Sequence, residues 1–100
     1  MTEPLIRDVS DTAFWIAHHR AEETGRPDAL FRDPLAARLA GVRGGEIAAS
    51  MPHSRIVGWT IVIRTCIIDD FILSAIGECV DTVLNLGAGL YTRPYRMNLP

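Results

Sequence analysis

The amino-acid sequence predicts an α/β fold in which a helical N-terminal region leads into the first strand of a parallel sheet. Most of the chain carries apolar residues at helical spacing, between recognisable start and stop signals. Residues 83–86 instead form a short apolar run that ends in Gly87, and a helix start follows. Such a run is typical of the first strand of a parallel α/β unit. We therefore divide the chain into a helical region, residues 1–80, and a first strand with its glycine loop, residues 81–100.

The composition is that of an ordinary globular protein, with 48% apolar and 22% charged residues. A net charge of −2 favours neither nucleic acid nor an anionic membrane as a partner. Residues 56–80 are the most apolar region and are long enough to suggest a membrane span, but they contain charges that are costly at mid-bilayer, so we expect a buried helix. These charges are Arg64, Asp69, Asp70 and Glu78. The two cysteines have no CxxC spacing and follow no signal-like segment, which favours reduced thiols in a cytoplasmic protein.

The first predicted helix begins at Ser10, a plausible N-cap, and ends before Gly25. The second has Asp33 as its cap, Pro34 at its first position and Gly41 as its end. Residues 42–53, with further glycines and a proline, are predicted to be loop with at most one helical turn.

The third predicted helix covers the long apolar segment and ends near Gly77. Apolar residues at positions 56, 59, 63, 67 and 71 favour a helix over a strand, although the first half of the segment is rich in β-branched residues. We expect this helix to be buried on most sides. Trp15 and Trp59 are expected in the core rather than against a ligand.

The most informative motif is the turn Gly87-Ala88-Gly89 after the predicted strand. Glycines allow a sharp turn and let a polar ligand approach exposed backbone N–H groups. A dinucleotide-binding loop would carry a third glycine, and Thr92 occupies that position. In isolation the motif is equally compatible with a tight turn that binds nothing.

Four segments together resemble a known family. They are SDTAFWIAHHRAEE, DALFRDPLAARLAG, VIRTCIIDDFI and VLNLGAGLYTRPYR, and they cover nearly the whole chain. In this order they resemble the class I S-adenosylmethionine-dependent methyltransferases, and more narrowly the leucine carboxyl methyltransferase-like family with its bacterial O-methyltransferases. The resemblance implies a Rossmann-like sheet and S-adenosylmethionine as the cofactor. It also implies transfer of a methyl group to an oxygen atom of the acceptor, in a carboxylate or a hydroxyl group. The implied acceptor is a small molecule or another carboxyl-bearing substrate.

The resemblance also implies cofactor-binding residues. Gly87, Ala88 and Gly89 match the loop whose backbone faces the methionine part of the cofactor. Arg64 matches an arginine that pairs with the cofactor carboxylate, a role that suits the two-pronged guanidinium. Thr65, which is adjacent, is a weaker candidate for the lining of the same site.

Several neighbouring residues have alternative roles. Arg64 could instead form an ion pair with Asp69 or Asp70, which we otherwise place on the helix surface rather than as an acid/base pair. His18 and His19 are adjacent, about 100° apart on a helix, so no zinc site is predicted.

The loop departs from the family pattern at Tyr91, where an acid is expected. An acid there could orient Arg93 through a charge-assisted hydrogen bond, whereas tyrosine offers no fixed negative charge. The loop should therefore be less ordered or be shaped by a different partner. We expect a loop-ordering role for Arg93 and a solvated position for Arg96.

The sequence ends before the rest of a nucleotide site. A ribose-binding acid is expected about 20 residues past the glycines, at roughly position 109, and the sequence ends at Pro100. We therefore expect the N-terminal segment of a longer methyltransferase, inactive alone, with its catalytic residues unknown. The alternative is a truncated, inactive homologue that binds a partner chain or dimerises through its helices. Separately, the unpaired strand could mediate self-association. A dinucleotide-binding protein is a third interpretation, which Thr92 disfavours.

Overall fold

The computed structural model describes residues 9–86 and 89–99, with side chains from residue 11 onward. Over these residues the chain forms four helices and no strand. The helices are α1 (Val9–Thr24), α2 (Ala36–Ser50), α3 (Ser54–Gly77) and α4 (Arg93–Arg96).

Helix α1 packs along α2 and, over a smaller area, against α3. Small side chains let the first two helices approach closely. A Cβ placed on Gly44 of α2 would lie only 2.5 Å from the Phe14 carbonyl oxygen of α1, so the backbones are in direct contact there. The buried apolar core is correspondingly rich in alanine; it consists of Ala17, Phe31, Ala36, Ala40, Ile47, Ala48 and Val62.

The predicted boundaries of the second helix were wrong at both ends. It begins at Ala36, because Asp33 and its neighbours form a turn in which the Asp33 carboxylate accepts the Leu35 N–H at 3.2 Å. It then passes through a kink at Gly41 (φ 57°, ψ −163°) and continues to Ser50. A left-handed φ suits glycine and changes the helix direction without ending the helical segment. Most of the predicted loop is therefore helical.

Helix α3 confirms the predicted third helix, but it is not buried on most sides. One narrow face is buried, made of Gly58, Val62, Thr65 and Asp69. Another face exposes large apolar side chains, which include Ile56, Ile63, Ile67 and Phe71. The other described elements are too few to cover a helix of 24 residues on more than one face. Within the described ranges, no helix is both long and apolar enough to cross a membrane.

The placement of the tryptophans also differs from the prediction. Trp15 is half-buried, with its indole N–H inside the protein and without a hydrogen-bond partner in the described structure. Trp59 lies half-exposed on α3 beneath the guanidinium of Arg26, whose central carbon is 5.5 Å from the indole ring. Trp59 is therefore a surface residue rather than part of the core.

The predicted strand does not form over residues 83–86, which have no regular structure. Leu84 and Leu86 are 83% and 90% exposed. A strand requires a neighbour for its backbone N–H and C=O groups, and the described part of the chain supplies none. The α/β class therefore remains an expectation from the family, and the boundary at residue 80 stays a prediction.

We predict that Gly44→Ala lowers the free energy of unfolding by about 1–3 kcal/mol, because the added methyl group meets the α1 backbone. Gly45→Ala is the matched control: its Cβ would lie at an ordinary 3.6 Å from the His18 ring. This control should be neutral or stabilise by up to about 1 kcal/mol through helix propensity. Urea denaturation of both variants measures the difference, and equal effects would argue against the close α1–α2 contact.

Candidate functional site

The glycine loop begins outside the described residues, since Gly87 and Ala88 lie there. Gly89 is described: it is exposed and has a left-handed backbone, with φ 55°. A Cβ placed on it would lie 3.6 Å from the Ala13 Cβ, so Gly89 lies against α1. The conformation of Gly89 is one that glycine adopts at little cost.

Arg64 is exposed on α3, beside a shallow groove of about 330 Å³. The other residues that line this groove are Thr60, Ile63, Ile67 and Ile68. Arg64 makes no ion pair with Asp69 or Asp70, so that alternative role is wrong for the described chain. No described residue of the glycine loop lines the groove, and Arg64 and Gly89 are therefore not brought into one pocket.

A buried carboxylate at Asp33 holds the loop that follows Gly89. The Asp33 side chain is 1% exposed and receives the Arg20 Nε–H at 3.0 Å. The Thr92 hydroxyl donates to the same carboxylate oxygen at 2.5 Å. Arg20 also donates from its terminal nitrogen to the Leu90 carbonyl oxygen at 2.6 Å. We call Asp33, Arg20, Thr92 and the Leu90 carbonyl the Asp33 cluster; it ties both sides of Tyr91 to α1 and to the segment before α2.

A second carboxylate, Asp69 of α3, binds two arginines of α4. Arg93 donates from Nε at 2.6 Å, and Arg96 donates from its two terminal nitrogens at 2.8 and 2.9 Å. The side chains of Asp69, Arg93 and Arg96 are only 12%, 12% and 8% exposed. We call these three residues the Asp69 cluster. Asp69 is therefore not a surface residue, and the predicted solvated position of Arg96 is wrong.

The electrostatics of the Asp69 cluster favour the ionised carboxyl. Burial is the largest influence and acts to raise the pKa of Asp69. The hydrogen bonds and positive charges of Arg96 and Arg93 together outweigh it and hold the pKa below its usual value. The carboxylate is thus charged at neutral pH, as a partner of two guanidinium groups must be.

Tyr91 packs against Arg93, the arginine that we expected an acid at position 91 to orient. The Arg93 guanidinium carbon lies 5.1 Å from the centre of the Tyr91 ring, within the range of a cation–π contact. The negative charge that holds Arg93 comes instead from Asp69. The loop is therefore shaped by a different partner, one of the two outcomes that the tyrosine predicted.

The sequence did not reveal that Arg20, Asp33 and Thr92 form a cluster, and Thr92 was noted only because it stands where a third glycine would be. One local signal for Arg20 exists: it follows Ala13 and Ala17 at helical spacing and so lies on the buried face of α1. Asp33 was interpreted only as a helix cap. Its bond to Thr92 spans 59 positions, which no local pattern reveals.

A separate cleft of about 550 Å³ lies between α1 and α3. His19 lines it and is buried, with Nδ1 3.1 Å from Glu22 Oε1. His18 Nε2 lies 3.3 Å from the same oxygen. Burial lowers the pKa of His19, and the neighbouring Glu22 offsets this only in part.

Comparison with known proteins identifies the family. The sequence model of the family described as leucine carboxyl methyltransferase matches residues 13–100. The chain belongs to the leucine carboxyl methyltransferase family. The resemblance of its four segments to this family is thereby confirmed.

Similar proteins occur in several bacteria, and each is named as a candidate S-adenosyl-L-methionine-dependent methyltransferase. The Streptomyces avermitilis protein is 41% identical over 89% of this chain and 34% of its own length. The Streptomyces coelicolor protein is 40% identical over the same shares. A Mycobacteroides abscessus protein is 32% identical over 99% of this chain and 37% of its own length. The chain thus spans about a third of the length of these family members, and no solved structure matches it.

We predict that Asp33→Asn lowers the free energy of unfolding by about 3 kcal/mol, because the nearly buried Arg20 loses its charged partner. Asp28→Asn is the control, since Asp28 is exposed and lies 3.3 Å from Arg26. It should change stability by less than about 1 kcal/mol. Chemical denaturation at pH 7 measures both, and a small effect at Asp33 would contradict the anchoring role of its cluster.

We also predict that stability falls on acidification through the window in which histidine titrates. The pKa of His19 is lowered on folding, so the unfolded chain binds the proton more readily. The contribution of His19 to the free energy of unfolding is complete above about pH 6.5. It declines as the pH falls from there towards the lowered pKa. Denaturation at pH 7.5 and 5.5 measures the decline, which His19→Gln should reduce and His53→Asn, at an exposed position, should leave in place.

Proposed function

We propose that this chain is the N-terminal part of a methyltransferase that moves a methyl group from S-adenosylmethionine to an oxygen of its acceptor. The acceptor oxygen belongs to a carboxylate or hydroxyl, on a small-molecule or carboxyl-bearing substrate. Membership of the leucine carboxyl methyltransferase family supports methyl transfer. The relatives, named for dependence on S-adenosyl-L-methionine, support the cofactor and give no support to a non-catalytic module.

The observation that carries the proposal is the Arg64 guanidinium, which has no partner among the described residues and borders an apolar groove. Arg93 and Arg96 are occupied by Asp69, and Arg20 by Asp33. Arg64 makes no hydrogen bond within the described ranges and remains available for a carboxylate. The apolar groove beside it suits the aliphatic part of an amino-acid-like ligand, and its charge suits the carboxylate of the same ligand.

The family resemblance assigns the glycine loop to the same cofactor, although the described Gly89 does not line the groove beside Arg64. The exposed position and left-handed backbone of Gly89 leave room for a ligand against the main chain. The Asp33 cluster holds the Leu90 carbonyl, directly after this glycine. When bound, the cofactor supplies an electrophilic methyl group on its sulfonium, so the protein's contribution is to orient donor and acceptor.

We predict that the chain binds S-adenosylhomocysteine and that Arg64→Ala weakens this binding about tenfold or more, through loss of a charge-assisted hydrogen bond. Isothermal titration calorimetry measures the affinity. Arg55→Ala is the matched control, because Arg55 is also an exposed arginine of α3. It should bind with an affinity within about twofold of that of the unsubstituted chain.

A second ligand sharpens this test. Methylthioadenosine shares the nucleoside and thioether of S-adenosylhomocysteine but lacks its amino-acid carboxylate. The unsubstituted chain should prefer S-adenosylhomocysteine, and Arg64→Ala should lose that preference. If the unsubstituted chain binds neither ligand, or if Arg64→Ala keeps the full preference, the proposed role of Arg64 is wrong.

A further inference from the structure

We propose that Asp69 is a positioning residue for the cofactor site, fixing the segment that follows Gly89 against the helix that carries Arg64. This inference rests on the proposed function. Among the described residues, Asp69 makes no hydrogen bond to Arg64 or to Gly89. It acts through Arg93 and Arg96, which it holds with three hydrogen bonds of 2.6–2.9 Å.

The geometry of Arg93 links the loop to one turn of α3. Its Nε donates to Asp69, and its terminal nitrogen lies 3.4 Å from the Thr65 carbonyl oxygen. Residues 65 and 69 are four positions apart and therefore share a face of the helix. Arg64 directly precedes Thr65, so the contacts that hold Arg93 also fix where the backbone of Arg64 lies relative to the loop.

The two clusters flank the short stretch between Gly89 and α4. The Asp33 cluster holds Leu90 and Thr92, and the Asp69 cluster holds Arg93 directly after them. The first cluster connects this stretch to α1, and the second, together with the weaker contact between Arg93 and the Thr65 carbonyl, connects it to α3. Loss of Asp69 should therefore leave the loop on α1 but release it from the helix of Arg64.

Stability by itself does not account for this arrangement. Two guanidinium groups share one carboxylate, and the Nε of Arg96 is buried without a hydrogen-bond partner among the described residues. Apolar side chains of similar volume would often be at least as stabilising as a buried ionic group of this kind. The ionic cluster instead fixes orientation, because bidentate and charge-assisted hydrogen bonds hold the groups they join in one geometry.

The test compares Asp69→Asn with Asp70→Asn in the full 100-residue chain. Both variants remove one negative charge from α3 at neighbouring positions, and Asp70 is exposed. Hydrogen exchange is measured at the amides of Tyr95 and Met97, which donate to the Thr92 and Arg93 carbonyls. Calorimetry with S-adenosylhomocysteine is carried out on the same samples, and exchange within α1 and α2 reports whether the rest of the fold is intact.

We expect Asp69→Asn to speed exchange at Tyr95 and Met97 about tenfold or more and to weaken S-adenosylhomocysteine about tenfold, with α1 and α2 unchanged. Asp70→Asn should change neither. Arg93→Gln is the second variant, because it leaves the paired bonds between Asp69 and Arg96 in place; it should show the same two changes even if Asp69→Asn fails to fold.

The outcomes separate this inference from the proposed function. Unchanged exchange at Tyr95 and Met97 in both Asp69→Asn and Arg93→Gln would overturn the positioning role, whatever the affinity. Faster exchange with an unchanged affinity would overturn its link to the cofactor. If the unsubstituted chain binds no S-adenosylhomocysteine, both the proposed function and the link between Asp69 and the cofactor fail. If binding is lost in Arg64→Ala but kept in Asp69→Asn and Arg93→Gln, the proposed function is supported and the role of Asp69 is overturned.

Discussion

Asp33 and Asp69 are two of the four buried acidic residues in the described part of the chain, beside Asp11 and Glu23. Their need for charged partners organises the described structure. A carboxylate removed from water is stable only when donors surround it. Asp33 obtains its donors from α1 and from the loop after Gly89, and Asp69 obtains them from α4. Each acid thereby joins segments that are distant in sequence. These polar contacts tie the short stretch after the glycines to α1 and α3.

The packing of the helices places both acids. Close contact at Gly44 sets α1 against α2 and thereby fixes the helix that carries Arg20. Gly58 plays a similar part between α1 and α3, since a Cβ there would lie 2.7 Å from the His19 ring. The buried face of α3 thus runs from Gly58 to Asp69, and its polar end meets the arginines of α4. The opposite apolar face stays exposed in the described structure, as does the segment of residues 83–86.

Local signals predicted the end of α1 before Gly25 and the periodicity and end of α3. They did not predict the start of α1, because Ser10, the expected cap, already lies within the helix. They failed for α2, because the glycines that mark a loop in sequence serve here as a kink at Gly41 and a close contact at Gly44. They also failed for residues 83–86, since a strand depends on neighbours that local sequence does not contain. For the candidate site, the family motif indicated Arg64 and the glycines. The partner of Arg93 lies 24 positions earlier, a distance that only the folded chain reveals.

The most direct test of the two buried carboxylates is a nitrogen–proton NMR spectrum of the arginine Nε–H groups at neutral pH, assigned by single Arg→Lys variants. Arg20 and Arg93 each donate this N–H to a carboxylate that is nearly buried. Their signals should be shifted downfield and exchange slowly with water, whereas the exposed Arg55 and Arg64 should exchange fast. Equally fast exchange for all four would contradict the account, because it would mean that the carboxylates do not hold the arginines in solution.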